Sequence, residues 1–158
     1  MQFFSTNELK DQYDDLVAPL MSYTNDAVLK RYAEDHKCSM EEAERVFTAW
    51  KQFAVTAHFM KGRKTVSRTV DDMWHTFLLH SRSYADFCDR YLQGYFLHHE
   101  PTSDEKSPEN YVSTREFAEG LFAEIDDSIW PKATPGLARC LSGGDCRIDR
   151  PTRCRAGS

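Results

Sequence analysis

The sequence predicts an all-α fold, a compact bundle of about six helices followed by a flexible tail that carries cysteines. Three observations predict it. Apolar residues recur at helical spacing in one segment after another. Ser/Thr-x-x-Asp/Glu capping boxes open at Ser5, Ser39, Thr69, Ser83 and Ser113, where hydroxyl and carboxylate satisfy each other's free backbone donors. No run alternates apolar and polar residues as a half-buried strand would.

In chain order, Leu9, Tyr13, Leu16, Val17 and Leu20 form a first stripe, which Pro19 should end near its preceding residue. Thr24 caps a shorter helix through about Asp35, with Val28 and Tyr32 facing inward. Ser39-x-x-Glu42 opens the strongest helix, with Ala43, Val46, Phe47, Trp50, Phe53, Ala54 and Ala57 on its stripe and Gly62 closing it. Thr69 caps the next, and Val70, Met73, Trp74, Phe77 and Leu78 face its core. Ser83 caps a fifth carrying Tyr84, Phe87, Cys88, Tyr91 and Leu92, which Gly94 stops. Residues 100–113 are polar, contain Pro101 and Pro108, and read as a loop. Ser113 opens a last helix with Phe117, Leu121, Phe122 and Ile125 inward. The expected division is a helical domain over 1–130 and a tail over 131–158.

A chain of 158 residues can bury a core without staples. Its net charge is −5; residues 139–158 carry five arginines against two aspartates, which leaves the preceding body at −8. An acidic body argues against nucleic acid as partner. The start Met1-Gln2-Phe3-Phe4-Ser5 is neither basic nor followed by a long apolar segment, so no signal peptide or membrane association is expected, and the expected location is cytoplasmic. A reducing cytoplasm keeps the five cysteines as thiols. Cys140, Cys146 and Cys154 in the tail are spaced too widely for a zinc knuckle.

Four of the six histidines lie between residues 75 and 99. Asp71 and His75, four apart, share a helix face and suit two metal ligands, or a carboxylate that orients a ligating imidazole. His75 and His80 are about 140° apart around a helix and do not share an ion. His98 and His99 follow Gly94, where a turn can return one of them to His75; adjacent residues point oppositely, so one of the pair would ligate. The chemistry these residues allow is a zinc- or iron-type site of His75 and His98 or His99, with Asp71 or Cys88 as a further ligand. The competing reading has His75 hydrogen-bonded in the core, His98-His99 on a loop, and Cys88 a small buried hydrophobe. No nucleophilic triad or phosphate loop is present, and Asp71-Asp72 and similar pairs are adjacent and splay.

The run Val70-Asp71, Trp74-His75, Leu79, Tyr84, Cys88, Gly94, Phe96, His98-His99 and Pro101 resembles the core motif of the glycine-rich domain-containing-protein-like family over about residues 40–101. Phe77 stands where that family often has a second histidine, and no glycine-rich domain follows. The resemblance implies a fold and no particular reaction. The expected function is a non-catalytic binding or adaptor domain with a protein partner and a metal-stabilised motif. The alternative is a small metal-dependent enzyme with His75 and His98 or His99 as ligands.

Overall fold

The structure, a computed structural model, describes residues 6–99 and 108–133. Six helices follow in order: α1 Thr6–Ser22, α2 Asp26–His36, α3 Met40–Phe59, α4 Arg68–Leu79, α5 Ser81–Tyr91 and α6 Pro108–Leu121, with no strand among the described residues. The fold is all-α, as the periodicity predicts. The expected tail lies, from residue 134 on, outside the described residues.

Helix α3 is the centre, touching α1, α2, α4 and α6. Its residues Ala49 to Ala57 are buried without interruption, polar ones included. A helix buried all round must satisfy its polar side chains internally. Gln52 donates to the Glu124 carbonyl at 2.9 Å, and the Lys51 ammonium donates to the carbonyls of Met21 and Tyr23 at 2.7 and 2.8 Å. These two carbonyls lie at the end of α1, where helix carbonyls lack partners and a cation is favoured.

Burial pushes the Lys51 ammonium down to about 8. Below that pH the folded protein carries the full penalty of a buried charge. Between pH 8 and the ordinary value of 10.5 the unfolded chain binds the proton and the folded one does not, so stability rises with pH across that window. Relative to Lys51→Met, the wild type should therefore gain stability between pH 8 and 10.5, on the order of 3 kcal/mol at most. Denaturant titrations along a pH series test this; a difference flat with pH would contradict it.

Several element ends differ from expectation. Helix α1 continues past Pro19 to Ser22, because a proline so near the end removes one bond and leaves little helix beyond it to disrupt. Asn25, not Thr24, caps α2, its side chain accepting from Val28 N–H at 3.2 Å. Ser39 caps α3 as predicted, at 3.0 Å from Glu42 N–H. Ser67, not Thr69, caps α4: its hydroxyl accepts from Val70 N–H and donates to the Ile129 carbonyl at 2.7 Å. Helix α5 begins at Ser81, two residues before the expected cap.

Helix α6 begins at Pro108, inside the expected loop, because proline is favoured at the first helical position. Tyr111, Thr114, Arg115 and Ala118 are its buried residues, and Phe117 is 39% exposed. Tyr111 sets that register by donating to the Pro131 carbonyl at 2.6 Å. Trp130, fully buried, packs edge-on against Phe53 of α3. None of the described helices is long and apolar enough to cross a membrane.

Candidate metal centre

Residues 92–99 fold back over α4, and four interactions hold them there. After α5, Gln93 and Gly94 take φ of +55° and +82°, and Gly94 N–H reaches back to the Asp89 carbonyl at 3.1 Å. This left-handed turn reverses the chain and favours glycine at its second position. The Tyr84 hydroxyl then donates to the Leu97 carbonyl while accepting from Trp74 Nε1–H at 3.0 Å. The Cys88 thiol lies beside the Leu97 backbone and the Tyr84 hydroxyl. Phe96 lies edge-on against the Tyr84 ring.

His99 is thereby laid on the Trp74 ring, centroids 4.2 Å apart, with its Nε2 donating to Asp71 Oδ1 at 2.6 Å. His75, one turn beyond Asp71 on α4, places Nδ1 3.5 Å from the other carboxylate oxygen. The two imidazoles stand 4.6 Å apart. One ligand atom from each of Asp71, His75 and His99 lies within 4.8 Å of the others. Donors about 2.1 Å from a common ion, 90–109° apart, sit roughly 3.0–3.4 Å from one another. The 2.6 and 3.5 Å distances run to different oxygens of Asp71, so its carboxylate faces both imidazoles at once. The His75 side chain is 57% exposed, against 22% for Asp71 and 16% for His99, so the trio opens to solvent on the His75 side.

Of the residues singled out in the sequence, Asp71, His75 and His99 come together. His98 does not join them: its ring lies against Phe96 at 4.7 Å and it is exposed. Cys88 stays in the core, 1% exposed, and burial pushes its thiol pKa up, which disfavours the thiolate that metals require. The carboxyl of neighbouring Asp72 is also pushed up, by burial first. What the motif does not reveal is the support: Trp74 is the floor under His99, and Tyr84 is the pin that returns the chain. Tyr84→Phe leaves the Leu97 carbonyl and the buried Trp74 N–H without a partner and should cost about 1–3 kcal/mol. Urea denaturation checks this; unchanged stability would mean the pin is idle.

A second polar region, a cavity of about 780 Å³ beside α3 and α6, includes Arg45, Arg115 and Glu119 in its lining. Its charges answer one another: Arg45 pairs with Asp126 at 2.6 Å, and buried Arg115 bridges Glu119 and Asp127 at 2.7 Å each. Both of its arginines are thus held by carboxylates.

A family model described as UCP032817-like matches residues 17–123. This corrects the resemblance drawn from the motif: the matching model is not that of the glycine-rich domain-containing-protein-like family. The motif residues are those that build one turn and one constellation, and short spaced matches of that kind do not separate families. No curated protein and no solved structure matches the chain.

Proposed function

The chain belongs to the UCP032817-like family, and we propose that it is a binding domain whose Asp71, His75 and His99 hold one divalent transition-metal ion, zinc or iron. The observation that carries this reading is the convergence of a carboxylate and two imidazoles from α4 and the returning segment 92–99. Two nitrogen donors and one oxygen suit zinc or iron better than magnesium or calcium, which prefer oxygen alone. The ion ties the returning segment to α4, so metal binding and local folding stabilise each other. A protein partner and a cytoplasmic location go with this reading; Cys38 and Cys88 are free thiols, in keeping with a reducing compartment.

A second reading, a metal-dependent enzyme, is favoured by the exposure of His75. Three protein ligands leave the ion open positions, and one can hold a water of lowered pKa. Hydrolytic turnover that depends on the metal would select this reading over a purely binding one.

The test is thermal denaturation of tag-free protein with zinc and with a chelator. Zinc at a hundredfold excess over its dissociation constant stabilises by about 2.7 kcal/mol, or roughly 5–10 °C for a domain of this size. His75→Ala should melt at one temperature in both conditions. A wild type whose melting ignores zinc would overturn the proposal.

A further inference from the structure

We propose that the ligand of this centre is an oxyanion, a carboxylate or phosphate group bound between the ion's open positions and the guanidinium of Arg68. The inference rests on the metal reading above and adds the chemical class of what the ion binds.

Charge is the first argument. Two neutral imidazoles and the Asp71 carboxylate leave a divalent ion with one positive charge uncompensated and with positions open for exchangeable ligands. The open side is that of His75, the most exposed of the three. An anion entering there meets both the ion and whatever cation shares the face.

Arg68 is that cation. It is the first residue of α4, three before Asp71, four before Asp72 and seven before His75. That spacing puts Arg68 and His75 on nearly one meridian, about 10 Å apart along the axis, with the two aspartates to either side. Arg68 Nε and Nη2 are withdrawn from solvent and have no hydrogen-bond partner among the described residues. Its charge reaches Asp72. Two further costs attach to this arginine: a cation in the first turn opposes the helix dipole, and buried guanidinium nitrogens without acceptors lose their hydration for nothing. An anion at the ion offsets both. Because Nε and Nη2 make no hydrogen bond, the side chain can rotate towards the ion without breaking one there.

The experiment uses the full chain loaded with cobalt(II), whose visible bands report on its coordination. Inorganic phosphate and acetate are titrated into wild type, Arg68→Lys and Arg68→Met. One or both anions should shift the wild-type spectrum saturably, and the tighter of the two identifies the group. Losing the charge-assisted bonds should weaken that binding about tenfold or more in Arg68→Met, with cobalt affinity retained. Arg68→Lys should fall between. The methionine keeps the apolar stem, so metal-free Arg68→Met should melt at or above the wild type, which separates this effect from misfolding. Anion binding equal in wild type and Arg68→Met, or a cobalt-loaded wild type unmoved by either anion, would overturn the oxyanion proposal alone. A wild type that takes up no cobalt would overturn the metal reading with it.

Discussion

Trp50→Ala should cost about 3–5 kcal/mol of stability, the range for emptying a buried tryptophan site. Trp50 is fully buried near the middle of α3 and packs on rings from its own and two other helices: Phe47 at 5.8 Å and nearly parallel, Phe77 of α4 at 5.1 Å edge-on, and Phe87 of α5 at 5.3 Å. Deleting the indole removes apolar contact to each and leaves a cavity that rigid neighbours do not fill. Its Nε1–H is buried without a partner among the described residues, so Trp50→Phe keeps much of the packing while removing that donor. The phenylalanine variant should therefore melt much closer to the wild type than the alanine variant. Denaturant midpoints for the three proteins decide it. An alanine variant as stable as the wild type would place α3 away from the centre of the fold.

The second large effect separates two adjacent histidines. His99→Ala should weaken zinc binding by more than about 100-fold, since loss of even a supporting contact to a ligand costs about 10–100-fold. His98→Ala should leave affinity within a few-fold of the wild type. His99 donates to Asp71 and rests on Trp74, whereas His98 lies against exposed Phe96. Calorimetric titration of zinc into both variants measures the difference. Equal loss in both, or loss in His98→Ala alone, would require the returning segment to present the other ring.

Helical periodicity made much of this legible. The Ser39 capping box and the stripe from Ala43 to Ala57 predict α3 almost as it stands, because cap, propensity and burial agree there. Asp71 and His75 could be paired from spacing alone, since four residues return a helix to the same face. That one of His98 and His99 would approach them was also legible. Which one was not, because the answer depends on two left-handed residues at 93–94 and on Tyr84 holding Leu97, interactions that cross between elements.

The differences at helix ends have similar causes. Thr69-x-x-Asp72 satisfies the capping pattern better than Ser67 does, but Ser67 gains a bond to Ile129 that only the folded chain supplies. Pro108 in a polar stretch predicts a break although it opens α6, and a helix start at Ser113 turns Phe117 inward in place of Tyr111. Arg68 is hidden for the same reason: with Thr69 as the cap it precedes the helix, and only the Ser67 cap puts a cation in the first turn, where carboxylates are favoured.

The proposed ligands of the ion are Asp71, His75 and His99. X-ray absorption of zinc-loaded, tag-free protein tests this set most directly, because the distances identify the donors. Nitrogen and oxygen scatterers alone are expected, at about 2.0–2.1 Å, with outer-shell features of two imidazoles. A sulfur shell at about 2.3 Å would contradict it, moving the ion to cysteine, and so would a spectrum without imidazole.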